Sequence, residues 1–270
     1  MTDDTYSSPV AQLLALGEPD LDDWLNYESL GIQTEHIPEL IRLVEDHAMR
    51  WESPEDDPVV YAAVHAWRAL GQLKAEAAAP ALIGLMEAVD THWDEWASEE
   101  LPEVFGMIGQ GSIPYLADYL AQPYTENFWG AVAASAALVK IGEIYPEKKP
   151  ECIQTLSQQL ENYLENDATL NGFIISYLAA LKASQAAPLV ERAFASDNVD
   201  ESVMGDWEDY QVEVGLLAER ITPKREFGFP FPSTGGQSEP GRSVRNEDKK
   251  TKSKRKQEKQ SRKKNRKKKK

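Results

Sequence analysis

The fold is decided by residues 58–87, which read PVVYAAVHAWRALGQLKAEAAAPALIGLME. Pro58 follows three acidic residues, a pattern that starts helices, and apolar residues then recur every three or four positions. Gly71 fits the left-handed residue that closes a helix, and a second amphipathic helix is expected from about Lys74. The inner faces of the two predicted helices carry Val60, Val64, Trp67 and Leu70, then Ala78, Leu82, Leu85 and Met86. Since neither helix can bury its whole apolar stripe against the other, further helices must pack on this pair.

The same arrangement recurs along the chain. An apolar residue precedes glycine at Leu30-Gly31, Leu70-Gly71, Ile108-Gly109 and Ile141-Gly142, whereas Leu181 precedes Lys182. A proline that leads an apolar helix follows each of these positions, at Pro38, Pro80, Pro114, Pro150 and Pro188. These prolines are 42, 34, 36 and 38 residues apart, within the range of helical-pair repeats. We therefore predict an all-α fold, a right-handed α-solenoid of about five helix pairs.

Two segments resemble known families. Residues 69–86, ALGQLKAEAAAPALIGLM, are similar to the HEAT-like repeat, in particular the short bacterial type also found in phycobilisome bilin lyases. Residues 200–217, DESVMGDWEDYQVEVGLL, together with the repeats, resemble a bacterial HEAT-like family of unknown function. The repeat resemblance covers roughly residues 30–195, and it implies HEAT-like helix pairs. It also implies a bilin-lyase-like chaperone or enzyme as an alternative function, on fold analogy alone.

The sequence divides into four predicted segments. They are an N-terminal helical cap (1–30), the HEAT-like solenoid (31–222), a Phe/Pro/Gly linker (223–241) and a disordered Lys/Arg-rich tail (242–270). Within the cap, a short helix is expected around residues 10–16 and a second helix start at residues 19–24. The linker contains EFGFPFP, which is not helical, and the tail holds too little apolar surface to fold alone.

Charge separates the body from the tail. The net charge of −16 consists of −30 over residues 1–240 and +14 over residues 241–270. The acidic body repels phosphates and anionic lipid, whereas the tail attracts both. Three uses of the tail stay open: nucleic acid or ribosome binding, anionic lipid binding, or folding back onto the acidic body. The candidate polyanion-binding residues are Lys254, Arg255, Lys256, Arg262, Lys263, Lys264, Arg266 and Lys267.

The sequence carries none of the usual signals of an enzyme or a membrane protein. No phosphate-binding loop, nucleophile elbow or metalloprotease motif is present, so no catalytic residue, metal or cofactor is predicted. His65 is expected to be structural, and helix-start acids explain the residues around His92 better than a metal site does. The single Cys152 is expected in the core, which suits a reducing cytoplasm. The polar start MTDDTYSSP and the lack of long apolar runs also favour a cytoplasmic location.

Acidic residues recur where the first helix of each pair is expected to begin. Helix capping explains them, and so does an acidic stripe along one edge of stacked repeats, which would suit a basic partner. Tryptophans among these acids suit arginine- or lysine-rich peptides through cation–π contacts. The candidate partner-binding residues are Trp93, Asp94, Glu95, Trp96, Asp206, Trp207, Glu208 and Asp209.

These features favour a non-enzymatic protein–protein interaction scaffold or adaptor. We expect its acidic solenoid surface to bind a protein with a basic surface, while the tail tethers it to polyanions or regulates access. The alternatives are the bilin-lyase-like activity above and an RNA- or ribosome-associated factor that acts through the tail.

Overall fold

The protein is all-helical wherever its structure is described. A computed structural model describes residues 6–224, and this range contains α-helices and short 3-10 helices but no strand. The linker beyond residue 224 and the basic tail, with its candidate polyanion-binding residues, lie outside the described residues. Between residues 6 and 224, no helix combines the length and apolar character that crossing a lipid bilayer requires.

Eleven α-helices follow one another in the described range. They are α1 (Ile37–Val44), α2 (His47–Trp51), α3 (Ala62–Gln72), α4 (Ala79–His92), α5 (Glu95–Ile108), α6 (Ile113–Tyr119), α7 (Trp129–Ile144), α8 (Lys149–Leu160), α9 (Ala168–Ala180), α10 (Ala187–Ala195) and α11 (Trp207–Glu213). The 3-10 helices are Val10–Ala15, Tyr27–Leu30, Thr34–His36, Pro58–Tyr61, Glu76–Ala78, Gln110–Ser112, Pro146–Lys148 and Ser184–Ala186.

Helices α3, α5, α7, α9 and α11 form a row in which each helix contacts the next. Helices α4, α6, α8 and α10 pack against this row: α4 contacts α5 and α7, α6 contacts α7, α8 contacts α7 and α9, and α10 contacts α11. The buried apolar residues form one core cluster that extends from Tyr6 to Tyr210. Consecutive helices thus share a single core.

The five prolines singled out in the sequence occupy equivalent places. Each is the second residue of an α-helix, in α1, α4, α6, α8 and α10. A proline suits the first turn because the amide that it lacks would have no partner inside the helix. The residues two and six positions after each proline are buried, except Phe194, which is partly buried. The apolar pattern of these helices is therefore confirmed.

The role predicted for Gly71 is wrong. Gly71 lies inside α3, and the left-handed residue after the helix is Lys74, with φ 51°. A Cβ at Gly71 would lie 3.4 Å from Cγ1 of Val104, so glycine here lets α5 approach closely. Gly142 is likewise inside α7, whereas Gly31 and Gly109 follow helices with a positive φ, 87° and 91°, and Gly31 is the left-handed residue predicted for it. Gly71 and Gly142 therefore lie inside helices, whereas Gly31 and Gly109 follow the ends of helices.

Residues 17–31, here called the N-terminal strap, are mostly non-helical. Only the turn Tyr27–Leu30 is helical, so the helix start expected at residues 19–24 is wrong. Oδ1 of Asp20 accepts hydrogen bonds from the amides of Asp22 and Asp23, which closes a local turn instead of a helix. The helix expected around residues 10–16 is present as the 3-10 helix Val10–Ala15.

Candidate functional site

Helices α5, α7 and α9 each leave one side partly exposed, whereas α3 is buried on every side. All residues from 62 to 71 in α3 are buried. On the other three helices, exposed or half-exposed residues recur at helical spacing, so they lie on one side of each helix. We call this set the open face: Trp96, Glu99, Glu103 and Met107 on α5, Trp129, Ala136, Lys140 and Ile144 on α7, and Phe173, Ser176, Tyr177 and Ala180 on α9.

The three parts of the open face adjoin one another. Nζ of Lys140 in α7 lies 2.5 Å from Oε1 of Glu103 in α5. The rings of Trp129 and Phe173 meet edge to face with centroids 5.8 Å apart, which joins α7 to α9. Within α9, the ring centroids of Phe173 and Tyr177 are 6.1 Å apart. The face is therefore continuous across three helices.

The open face combines aromatic and apolar side chains with small ones and an acidic rim. Trp129 is 40% exposed and Ile144 is 51% exposed. Tyr177 is only partly exposed, and burial raises the pKa of its hydroxyl to about 12. Glu99 on α5 and Glu143 on α7 are exposed acidic residues. Contiguous exposed apolar surface with a polar rim is typical of contact sites for other proteins.

The corresponding side of α3 is covered by the N-terminal strap. The hydroxyl of Tyr27 lies 2.7 Å from Nδ1 of His65, and Nε2 of His65 lies 2.9 Å from the carbonyl oxygen of Gly17. Nε2 of Gln72 donates to the carbonyl of Leu25 at 2.7 Å, and Oε1 of Gln72 accepts from the amide of Tyr27 at 3.0 Å. Burial lowers the pKa of His65. Two side chains of α3 therefore hold the backbone of the strap.

Arg68 connects the covered side of α3 to the open face. Its guanidinium lies 4.6 Å from the ring centroid of Trp24 in the strap and 5.8 Å from that of Trp96. The same guanidinium pairs with Glu100 of α5, and its Nη1 atom has no hydrogen-bond partner among the described residues. The strap therefore reaches the boundary of the open face at Trp96.

The first predicted partner-binding group is divided between solvent and interior. Trp93 is 71% exposed, and it follows α4 in the left-handed conformation with φ 53°. Asp94 is only 6% exposed, because its carboxylate accepts two hydrogen bonds from Arg50 and one from the Ala97 amide. Glu95 is half-buried, and Trp96 belongs to the open face. Trp93 is thus exposed, and Trp96 is half-buried with its ring in contact with Tyr61 and Arg68.

The second predicted group, Asp206, Trp207, Glu208 and Asp209, begins α11. Arg220 donates to both carboxylate oxygens of Asp206, at 2.6 and 2.8 Å, and lies 2.8 Å from Oδ1 of Asp209. These bonds from Arg220 lower the pKa of Asp206 to about 2. Glu208 accepts from the amides of residues 221 and 222, and Trp207 stacks on Tyr210. The group therefore binds the chain's own arginine and backbone.

Capping accounts for most of the recurring acids. The side chains of Asp57, Asp94, Asp167 and Asp206 each accept a backbone amide at the start of a helix. Asp90 acts differently: its carboxylate accepts the amides of Trp129 and Gly130, and so caps α7 from α4. The capping explanation is confirmed for these residues, while the acidic stripe stays a prediction.

Three groups that could carry chemistry, His65, His92 and Cys152, have defined surroundings in the structure. Between residues 6 and 224, no group of three or more His, Cys, Asp or Glu side chains could hold a metal ion. The ring of His92 stacks on Trp51 with centroids 4.2 Å apart, and His65 holds the strap. Cys152 is fully buried, and burial raises the pKa of its thiol to about 11. Each of these groups has a structural role.

The open face was not predicted from the sequence, apart from Trp96. The sequence did contain one signal, because the spacing of Trp129, Ala136, Lys140 and Ile144 places them on one side of a helix. This signal is weak, because most other positions of α7 are apolar too. No protein-family model matches this sequence, and comparisons with curated proteins and with solved structures find no match either. A functional assignment therefore depends on the geometry of this surface.

Proposed function

We propose that the protein is a non-enzymatic scaffold or adaptor that binds another protein across the open face. The observation that carries this proposal is the face itself, in which four aromatic side chains, Met107 and Ile144 remain accessible on helices that are otherwise buried. Aromatic and methionine side chains are enriched in the centres of protein interfaces, and small residues between them leave room for side chains of a partner.

The proposal includes the architecture expected from the sequence, a right-handed HEAT-like α-solenoid of about five helix pairs. Two observations support it: the proline that begins α1, α4, α6, α8 and α10, and the row of contacts from α3 to α11. In such an array one side of successive helices forms an extended binding surface. The open face on α5, α7 and α9 corresponds to that side.

The partner is a cytoplasmic protein with a basic surface. Residues 1–240 carry a charge of −30, which attracts basic proteins and repels nucleic acids. The basic residues 242–270 have the opposite preference, and we assign them tethering to polyanions or control of access to the face. The two parts of the sequence therefore serve different contacts.

A capture experiment from the native host tests this function. The full chain, a 1–240 truncation and the Trp129→Ala variant serve as bait, each with and without nuclease. Tyr115→Ala is the matched control, because Tyr115 is an aromatic residue with 43% exposure on α6, outside the open face. We expect the full chain, the truncation and Tyr115→Ala to retain the same protein after nuclease treatment, and Trp129→Ala to lose it.

A second function is favoured by the charge of +14 on residues 241–270. If these residues bind RNA or the ribosome, capture disappears with the tail or with nuclease, and affinity falls steeply with salt. That outcome rejects the scaffold proposal and identifies a factor that acts through its tail.

A further inference from the structure

We infer that the open face binds a peptide segment that carries arginine or lysine beside an aromatic or leucine side chain. This inference rests on the proposed function, and it specifies the form and chemistry of the partner. It is argued from the N-terminal strap, which shows how a segment lies on this side of the helix row.

The strap is held on α3 as a segment of bends and non-helical backbone that ends in the short helical turn Tyr27–Leu30. Its backbone carbonyls at Gly17 and Leu25 and its amide at Tyr27 bond to His65 and Gln72. The aromatic ring of Trp24 lies over the Arg68 guanidinium. Backbone hydrogen bonds and one ring contact thus attach a largely non-helical segment to an α-helix.

The positions that hold the strap have counterparts on α5. Gly71 of α3 lets α5 approach closely, and Gly106 of α5 does the same for α7, because Cβ atoms there would lie 3.3 Å and 3.0 Å from side chains of the next helix. Counting from these glycines, Arg68 of α3 corresponds to Glu103 of α5, and Gln72 corresponds to Met107. At these two positions the strap side of α3 matches the open side of α5, whereas His65 corresponds to Glu100, which is buried and pairs with Arg68.

The change from Arg68 to Glu103 reverses the charge that this side offers. On α3 a guanidinium of the body meets a tryptophan of the strap. On the open face Glu99 and Glu103, with the exposed Glu143 next to Ile144, outnumber one lysine, Lys140, which pairs with Glu103. An acidic surface selects a cationic segment and repels a phosphate backbone.

Trp129 gives this cation a ring to contact. It is half-exposed on α7, next to Phe173, and the protein pairs arginine with tryptophan twice in addition to the contact of Arg68 with Trp96. The guanidinium of Arg50 lies 5.4 Å from the centroid of Trp67, and that of Arg68 lies 4.6 Å from Trp24. Arginine over tryptophan is the most favourable cation–π pairing among side chains. We assign Trp129 as the centre of the face.

The test uses a phage-displayed library of random 15-residue peptides, selected on the full chain. Enriched peptides are expected to contain arginine or lysine with an aromatic residue or leucine. Synthetic copies are then titrated by fluorescence anisotropy against variants. We expect about 10-fold or greater loss of affinity in Trp129→Ala, less than about 2-fold change in Tyr115→Ala, and a loss of several-fold in Glu99→Lys that diminishes with salt.

Several outcomes overturn the inference. They are the absence of enrichment, enrichment of acidic peptides, and affinity that depends on Trp93→Ala rather than Trp129→Ala. In these cases the scaffold function still stands if the host protein is captured after nuclease treatment, so the two failures are distinguishable. If Trp129→Ala does not fold by circular dichroism, Glu99→Lys decides alone, because Glu99 is exposed and its replacement leaves the core intact.

Discussion

Arg68 of α3 and Glu100 of α5 form a buried ion pair with two hydrogen bonds, at 2.8 Å from Nε and 2.5 Å from Nη2. The side chain of Arg68 has no exposed surface and that of Glu100 is 6% exposed. The indole of Trp67 adds a third bond to the same carboxylate, at 2.9 Å. The pair therefore fixes α5 against α3 at the boundary between the strap and the open face.

We predict that Glu100→Gln lowers the free energy of unfolding by about 3–5 kcal/mol, because it leaves the Arg68 charge buried without a partner. Urea denaturation followed by circular dichroism measures this change. Glu99→Gln, one residue away and exposed, is the control and should change stability by less than about 0.5 kcal/mol. Equal stability of the two variants would contradict the prediction.

A second prediction concerns two glycines in neighbouring helices. A Cβ at Gly130 of α7 would overlap the carbonyl oxygen of Met86 in α4 and lie 2.5 Å from the Tyr119 hydroxyl. A backbone oxygen cannot yield without moving its helix, so Gly130→Ala should destabilise the protein by about 1–3 kcal/mol.

Gly84 of α4 is the matched control for Gly130. A Cβ there has nothing within 4 Å, so Gly84→Ala should stabilise the protein by about 0.5–1 kcal/mol through helix propensity. Thermal and urea denaturation of both variants measure the difference. No loss of stability in Gly130→Ala would show that the α4–α7 contact is looser than described, and a loss in Gly84→Ala would show that its surroundings are not open.

The helices could be predicted from the sequence because their signals are local. The proline that begins α4, the apolar spacing around Trp67 and the capping acid Asp94 each act within a few residues. The role of Gly71 could not be predicted, because a glycine that ends a helix and a glycine that lets a neighbouring helix approach look alike in sequence. Only the packing of α5 against α3 separates the two.

The predicted partner-binding acids were harder to assess from the sequence, because the arginines that pair with them are distant in the chain. Asp94 is neutralised by Arg50, which is 44 residues away, and Asp206 by Arg220, which is 14 residues away. No spacing rule connects such pairs. The same holds for the strap, since Gly17 meets His65 only in the folded chain. The side chains that remain accessible to a partner are those that these contacts do not use, and they can be identified only from the structure.

The third prediction concerns the ion pair between Asp206 and Arg220 and its effect on the pKa of Asp206. Arg220 lowers the pKa of Asp206 to about 2 from an ordinary value of 3.8. A lowered pKa in the folded state means that this carboxylate contributes stability above pH 3.8, and the contribution is lost as the pH falls through 2. In Arg220→Gln the pKa of Asp206 should rise toward 3.8.

Carboxyl ¹³C NMR across pH 1.5–6 measures the titration of Asp206. Arg192→Gln is the control, because Arg192 is exposed and bonds only locally, to the carbonyl of Pro188. An unchanged Asp206 pKa in Arg220→Gln would show that helix capping by the amides of Glu208 and Asp209, not Arg220, holds it low.

The last prediction concerns the strap and His65. Burial lowers the pKa of His65 below its ordinary value of 6.5; the nearby carbonyl of Gly17 opposes this effect and the Arg68 charge adds to it. The unfolded chain therefore binds this proton at a higher pH than the folded chain does. The stability contributed by neutral His65 is complete above pH 6.5 and is lost as the pH falls from there through the lower folded pKa. In His65→Gln that part of the pH dependence should disappear.

Urea denaturation at pH 7.5 and 5.5 tests the role of His65 in wild type, His65→Gln and His47→Gln, whose exposed histidine is the control. Wild type and His47→Gln should lose more stability on acidification than His65→Gln does. Hydrogen exchange of residues 17–31, corrected for the intrinsic effect of pH, should increase first in wild type, because protonated His65 favours opening of the segment that buries it. An equal loss of stability in all three proteins would mean that the strap tolerates a charged His65, and that its hold on α3 comes from Gln72 and the Trp24–Arg68 contact instead.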